Sequence, residues 1–450
     1  MLFFLTEPVF SQPLDAGIQR IEIPSSLNPV GSGARALGMG GAFIAVADDA
    51  TAASWNPGGL IQLETPEFSL AGAFFQRTEY DNFGTHPEAS GSDRIRESNI
   101  NYFSFSYPFT LLNRNMILSL NYQHLFDFTS QLDFSFIQRS QRLSLLRNLR
   151  YEQDGQLTAL GLAYSVQMTP KLSFGFTFNI WDDRLGNNGW ENISHENGTG
   201  IDQVKNAVLN YESCRWNRYS FRGFNANIGI LWNINDKFTM GAVFKTPFTA
   251  DLEHESAFNE SVLYPEYPDD NFTNSDVSSV DEKLDMPMSF GIGIAYRYSD
   301  HFTVSGDIYR TEWQNFILRD SEGNRIAPIS GLTEEKSDID PTHQIRLGAE
   351  YLFFNPAKSK YIIPIRCGLF YDPAPGEKSP DEYYGFSLGT GIVIGKKDFR
   401  SFKNFGSLLV FDIAYQYRFG NDVKTFMLQH LDFSEDVKEH TFYSSVIIHF

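Results

Sequence analysis

Four basic side chains occupy positions where a cation could bind a carboxylate group. They are Lys245, Arg297, Arg346 and Arg366, and each falls on the polar face of a segment in which apolar and polar residues alternate. An arginine can hold a carboxylate through two parallel hydrogen bonds, which makes Arg297 and Arg346 the first candidates. The alternative is that most of these cations pair with acids on the same faces, such as Glu350 and Asp412.

Motifs for catalysis are missing. The sequence contains no GxSxG, HExxH, CxxC or P-loop pattern. Residues 31–36 superficially match the dinucleotide-binding GxGxxA, but no hydrophobic strand precedes them and no parallel βαβ unit follows. We therefore expect neither an enzyme nor a bound cofactor or metal.

The net charge is strongly negative. A formal charge of −19 argues against a nucleic-acid partner, which would usually need a basic face. Between Ala250 and Leu284, ten acidic residues stand against one base, Lys283. We interpret this segment as a solvated surface loop. The alternative is that divalent cations bridge its acids to lipopolysaccharide.

The candidate cations require a sheet to position them, and the C-terminus indicates which kind. In the last ten residues, apolar side chains dominate one face of a strand that ends in the aromatic Phe450. This pattern is typical of the final strand of a bacterial outer-membrane barrel. Similar alternation predicts strands at 66–77, 97–109, 115–128, 153–168, 171–183, 219–233, 236–248, 285–298, 301–313, 341–353, 361–371, 382–395, 405–419 and 437–450.

Connection lengths separate a barrel from a soluble sandwich. The chain turns within two residues at 169–170, 234–235 and 299–300, whereas 184–218 and 249–284 are long and polar. Alternating short and long connections are expected of a barrel with periplasmic turns and larger external loops. We predict an all-β protein, a fourteen-stranded antiparallel transmembrane barrel in the bacterial outer membrane.

The N-terminal region differs from the rest. Residues 1–11 are similar to the end of a secretory signal peptide, and we expect them to be its remnant. Residues 12–65 do not alternate and are rich in glycine and alanine, which predicts a compact plug inside the barrel of residues 66–450.

At this point the sequence resembles the OmpP1/FadL/TodX family of outer-membrane transporters of hydrophobic compounds. The matching residues are 33–42, 48–52, 56–60, 286–287, 295–298, 309–313, 343–351, 371–373 and 414–417. The resemblance implies a fourteen-stranded barrel closed by a movable N-terminal hatch. On this basis the hatch residues are Gly33, Arg35, Gly38, Gly40, Gly41, Asp48, Asp49, Asn56 and Pro57.

Two departures from the family pattern stand out. Gly58 replaces the alanine that commonly follows Asn-Pro, a change that could loosen the hatch. The family's third strand is kinked, which opens a side exit into the membrane. In this sequence the third strand has no glycine or proline between Met116 and His124 to mark such a kink.

The resemblance implies uptake of hydrophobic small molecules such as long-chain fatty acids or aromatic hydrocarbons. Apolar residues of the long connections could form an external landing groove, or they could be internal cores of folded loops. They are Trp190, Trp216, Phe258, Leu263 and Tyr264. The functional alternative is a scaffold or shuttle barrel in protein secretion or assembly. We expect a monomer surrounded by outer-membrane lipid and lipopolysaccharide.

Overall fold

The computed structural model describes residues 32–186, 188–354, 361–395, 408–424 and 432–450. The strands in these ranges, numbered in chain order, are β1 (Glu67–Phe83), β2 (Gly91–Leu111), β3 (Arg114–Asp127), β4 (Ser130–Arg139), β5 (Leu143–Thr169), β6 (Leu172–Trp181), β7 (Gly189–Asp202), β8 (Ala207–Asn233), β9 (Phe238–Lys245), β10 (Phe248–Leu263), β11 (Phe272–Met286), β12 (Ser289–Ser299), β13 (Phe302–Thr311), β14 (Ile317–Arg319), β15 (Arg325–Ile326), β16 (Thr342–Phe353), β17 (Tyr361–Tyr371), β18 (Tyr383–Ile394), β19 (Leu408–Val423) and β20 (Phe433–His449).

Fourteen of these strands form a closed antiparallel barrel. Their order around the ring is β1, β2, β3, β5, β6, β8, β9, β12, β13, β16, β17, β18, β19 and β20, and β20 pairs with β1 to close it. Each coincides with one of the fourteen predicted strands, so the predicted fold class is confirmed.

Several barrel strands continue far beyond the predicted bounds. β5 and β8 are each 27 residues long, and their outer halves pair with β4, β7 and β10 in a sheet that stands above the barrel. The long connections predicted at 184–218 and 249–284 are therefore largely strands. Water can reach the outer face of this sheet, so its strands do not need the apolar outward face that marks a membrane strand.

The outer wall of the barrel is apolar. On β1, Leu70 and Phe74 point outward and are exposed, whereas Glu67 and Ser69 point inward and are buried. Such an outer face suits contact with lipid, while polar residues line the interior.

The helices are short. They are α1 (Ala34–Gly38), α2 (Ala52–Trp55) and α3 (Asp183–Gly186), with 3₁₀ turns at Pro57–Gln62, Pro87–Ala89, Pro268–Asp270 and Trp313–Asn315. Among the described residues, no helix combines the length and apolarity needed to cross a membrane.

Residues 32–65, called here the N-terminal segment, lie inside the barrel. Ser387 on β18 donates a hydrogen bond to the carbonyl of Gly38 at 3.0 Å, and Ser173 on β6 donates to the carbonyl of Gly58 at 2.7 Å. β6 and β18 are seven places apart in the ring of fourteen, so the segment contacts opposite walls.

Candidate functional site

Glycines on both partners allow the N-terminal segment to approach the wall closely. A Cβ atom on Gly38 would lie 3.1 Å from the Cα of Gly389, and one on Gly40 would lie 3.1 Å from the Cα of Gly368. Gly40 also has a φ of +68°, a conformation that side chains rarely adopt. The two backbones therefore touch where any larger residue would separate them.

The two other predicted hatch glycines, Gly33 and Gly41, also have positive φ angles. Gly33 precedes α1 with a φ of +100°, and a Cβ there would lie 2.8 Å from the Thr51 side chain. Gly41 has a φ of +75°, and a Cβ there would overlap the guanidinium of Arg346.

Asn56 fixes the second wall contact. Its Nδ2 donates to the carbonyls of Ile44 at 2.8 Å and Ile230 at 3.0 Å, and its Oδ1 accepts from the Gly58 amide at 3.1 Å. The carbonyl of the following Pro57 lies so close to Gly175 that a Cβ there would be 2.3 Å away. The segment thus contacts β6 and β8 as closely as it contacts β17 and β18.

An ion-pair network joins the N-terminal segment to the wall. Arg35 pairs with Asp48, lies 3.8 Å from Asp49, and contacts Glu350 on β16 at 3.0 Å. Arg366 on β17 donates to the same Glu350 at 2.6 Å. The second nitrogen of Arg366 donates to Asp412 at 2.6 Å. Arg366 therefore holds two acids at once.

A second network lies beside the first. Arg346 contacts the Asp372 carboxylate at 3.4 Å and donates to the Gly40 carbonyl at 3.4 Å. Arg418 pairs with Asp372 at 3.2 Å and with Glu439 at 3.1 Å. Two of the four candidate carboxylate binders, Arg346 and Arg366, thus already pair with acidic residues of the protein.

A mostly apolar cavity lies in the barrel between β3, β6, β8, β9 and β12. Its walls are Leu125, Phe126, Asn179, Trp181, Asn225, Asn227, Lys245, Thr246, Phe248, Met286, Pro287, Ser289, Thr311 and Trp313. Trp181 and Phe248 stack with ring centres 5.8 Å apart. We call this space the aromatic cavity.

Lys245 is the cation that lines the aromatic cavity. It stands at the outer end of β9, is buried, and its Nζ lies 5.6 Å from the centre of the Tyr309 ring. The polar groups that line the cavity around it, Asn227, Ser289 and Thr311, are uncharged. A buried ammonium beside an apolar space is suited to bind the head group of an amphipathic acid.

A second cavity is lined mostly by polar residues. It is lined by Arg77, Arg346, Asp372, Arg418 and Glu439 on one side, and by residues of β2 and β3 on the other. Asn99, Asn101, His124 and Leu125 form that other side, so the cavity reaches the joint between these two strands.

The joint between β2 and β3 is incomplete. Their ladder ends where Tyr102 faces Gln123, and beyond it Gly91–Ile100 of β2 pairs with β1 alone among the described strands. Both strands shift register at this level, between Tyr102 and Ile100 on β2 and between His124 and Phe126 on β3. The discontinuity that the sequence did not mark is thus formed by bulges without glycine or proline.

The five predicted landing-groove residues do not come together. Trp190, Phe258 and Tyr264 point to the inner side of the external sheet, where Trp190 stacks on Phe128 and Tyr264 packs in a core. Trp216 and Leu263 point to the opposite face. Trp190 and Tyr264 are therefore packed inside folded external structure, which was the alternative to an external landing groove.

Arg297 lies away from both cavities. It is exposed near the end of β12, next to the short turn into β13, and its amide pairs with the Lys237 carbonyl at 2.8 Å. Of the four candidate cations, the structure places Lys245 beside apolar space, Arg346 and Arg366 in ion-pair networks, and Arg297 at the rim. Sequence reasoning missed the aromatic cavity because Trp181, Phe248 and Trp313 lie at the ends of separate elements, which approach each other only when the barrel closes.

A closed barrel with an apolar outer wall, an internal N-terminal segment and cavities along its lumen defines a channel protein of the bacterial outer membrane. The chain belongs to the outer membrane protein transport protein family (OMPP1/FadL/TodX), whose model matches residues 22–382. Like the members of this family, it is an outer-membrane channel for hydrophobic compounds and not an enzyme.

Solved structures support the fold. A Pseudomonas aeruginosa FadL homologue matches with a TM-score of 0.58 at 14% identity, covering 93% of this chain and 98% of that one. The Pseudomonas putida toluene transporter TodX matches with a TM-score of 0.51 at 14% identity, covering 93% and 97%. At such identities the likeness concerns the fold alone. A sequence search of curated proteins gave no match.

Proposed function

We propose that the channel takes up hydrophobic carboxylic acids, such as long-chain fatty acids, and binds them in the aromatic cavity with the carboxylate at Lys245. The observation that supports this proposal is the pairing of one buried cation with a wall of aromatic and aliphatic side chains. Burial of each methylene contributes about 0.8 kcal/mol, so the tail supplies most of the affinity and Lys245 sets the orientation.

A neutral aromatic hydrocarbon is the competing substrate class. One of the solved relatives is a toluene transporter, and Phe126, Trp181 and Phe248 would suit a small aromatic ring as well as an acyl chain. Substitution of Lys245 distinguishes the two substrate classes, because a buried cation stabilises a bound carboxylate but contributes nothing specific to binding of toluene.

From the cavity, we propose that solute moves past the N-terminal segment, which acts as a hatch. The polar cavity extends to the open joint between β2 and β3, so this joint offers a lateral route towards the membrane. A secretion scaffold would be favoured by a lumen too full to hold a lipid. The two cavities favour the channel instead.

The test compares ligand binding by purified Lys245→Met and Lys245→Arg variants with the wild-type protein. We expect Lys245→Met to weaken laurate or oleate binding about tenfold, and Lys245→Arg to retain most of it, because the loss is that of a charge-assisted contact. Toluene binding should change in neither variant. Unchanged fatty-acid affinity in Lys245→Met, or strong binding of toluene without measurable binding of fatty acid, would overturn the proposal.

A further inference from the structure

The outer wall of the barrel carries a cluster of cations on neighbouring strands. Gln76 on β1 is paired in register with Arg96 on β2 and with His440 on β20. One step further from the periplasmic end, Arg94 and Lys438 flank Thr78 in the same way. We call Arg94, Arg96, Lys438 and His440 the basic patch.

The basic patch lies at the level of the outer leaflet. Eight residues of β1 separate Phe68, near the periplasmic end, from Gln76. At about 3.3 Å per residue and a strand tilt of about 40°, this is a height of roughly 20 Å, close to that of an apolar band of about 25 Å. The patch therefore begins where the hydrocarbon ends.

The described contacts of Arg96 and Lys438 are with uncharged groups. Arg96 donates to the Gln76 amide oxygen at 3.1 Å, and the Nζ of Lys438 lies 4.8 Å from the centre of the Tyr80 ring. Among the described residues, none of Arg94, Arg96 and Lys438 forms an ion pair with a carboxylate. The outward acid Asp436 lies one rung further from the membrane, where it accepts from the Asp422 amide at 3.1 Å.

Three other outward cations have acidic partners. Arg222 lies 3.8 Å from Glu253, Lys283 lies 3.3 Å from Asp251, and Arg310 lies 2.6 Å from Glu312. Hydrogen bonds from Arg310 lower the pKa of Glu312 below its ordinary value. In a chain with a net charge of −19, a rim cluster of three cations that have no carboxylate partner among the described residues offers a site for an external anion.

The surface directly below the patch is apolar and concave. Phe74, Phe442 and Tyr415, with Gln76 and His440 above them, line a shallow depression. The Tyr415 hydroxyl and the Nδ1 of His440 are hydrogen bonded at 2.8 Å. A ligand that fits both levels has anionic groups at the top and hydrocarbon chains beneath.

We propose that the basic patch binds the phosphate groups of lipopolysaccharide, with its acyl chains lying over Phe74 and Phe442. Arg94 and Arg96 bind one phosphate through charge-assisted hydrogen bonds, and Lys438 with His440 binds the other. This contact needs no bridging metal ion, in contrast to the cation-bridged contact considered for the acidic segment 250–284. It therefore persists in the presence of a chelator.

The experiment uses the delipidated full chain in detergent with EDTA. Binding of bisphosphorylated lipid A is measured by native mass spectrometry for the wild-type protein, R94A/R96A/K438A, and the matched control R222A/R310A/K283A. We expect the patch variant to bind at least about tenfold more weakly and the control to bind like wild type, because the control cations have carboxylate partners and the patch cations have none among the described residues. Heat-modifiable electrophoretic mobility reports folding, and the single variant Arg94→Gln serves if the triple variant does not fold.

Two further probes identify the ligand. Monophosphoryl lipid A should bind more weakly than the bisphosphorylated form, and inorganic phosphate should not compete, because it lacks acyl chains. Equal binding by the patch variant and the wild type would overturn the proposal. So would equal binding of phosphatidylglycerol and lipid A, or displacement of lipid A by inorganic phosphate.

Discussion

The guanidinium of Arg35 in α1 lies 3.0 Å from the carboxylate of Glu350 on the barrel wall. Glu350 also accepts a hydrogen bond from Arg366 at 2.6 Å, so one buried acid links the N-terminal segment to β16 and β17. The ion pair and the glycine contacts beside it together hold the N-terminal segment against the wall.

Replacing Arg35 with methionine should loosen the N-terminal segment. The change leaves Asp48 and the buried Glu350 without this cation, and removing one partner of a buried pair costs about 3–5 kcal/mol. We expect larger or more frequent single-channel openings in planar bilayers. Arg325→Met, which breaks an exposed pair with Glu334, is the control and should leave conductance unchanged. Identical currents from the Arg35 variant and the wild type would show that the pair does not hold the segment.

Replacing Gly368 with alanine should displace the same segment by contact alone. The new Cβ would lie 2.2 Å from the amide nitrogen of Gly40, and overpacking of this kind costs about 1–3 kcal/mol. We expect a lower unfolding temperature by heat-modifiable mobility, together with increased conductance. Gly72→Ala is the matched control, since its Cβ would point to the outer wall and be 3.7 Å from the nearest atom. Equal effects of both alanines would mean that β-strand glycines are sensitive irrespective of the N-terminal segment.

Affinity should depend on the length of the acyl chain. Each methylene buried in the aromatic cavity contributes about 0.8 kcal/mol, so affinity should rise roughly fourfold per carbon until the cavity is filled. Phe248 stacks on Trp181 at the cavity wall, and Phe248→Ala should reduce affinity and move the plateau to longer chains. Calorimetric titration with a series of fatty acids measures both effects. A flat series would place the tail outside this cavity.

Removing the two bulges should close the lateral route. Deletion of Asn101 and Leu125 together would let the β2–β3 ladder continue past Tyr102 and Gln123. We expect uptake by cells to fall while ligand binding by the purified protein is retained.

A control is needed because Asn101 also accepts a hydrogen bond from the Gly33 amide at 3.3 Å. Asn101→Ala removes this bond but keeps the bulge, and it should transport like the wild type. Normal uptake by the double deletion would exclude the lateral joint as the exit.

Alternation of apolar and polar residues was sufficient to predict the barrel. Alternation over the fourteen membrane strands is strong because one face of each strand meets lipid and the other meets polar groups, and the same parity placed Arg346 and Arg366 inside. Outside the membrane this contrast weakens, because both faces of a strand can meet polar surroundings. For this reason β7 and β11 could not be recognised within 184–218 and 249–284.

The partners of the lumen-facing residues became known only from the folded chain. Arg366 and Lys245 both lie on the lumen-facing side of their strands. Arg366 holds two carboxylates, whereas Lys245 faces an apolar cavity. Parity gives the side of the wall on which a residue lies but not its neighbours across the lumen. Those neighbours depend on closure of the ring and on the path of the N-terminal segment, which bring together residues hundreds of positions apart.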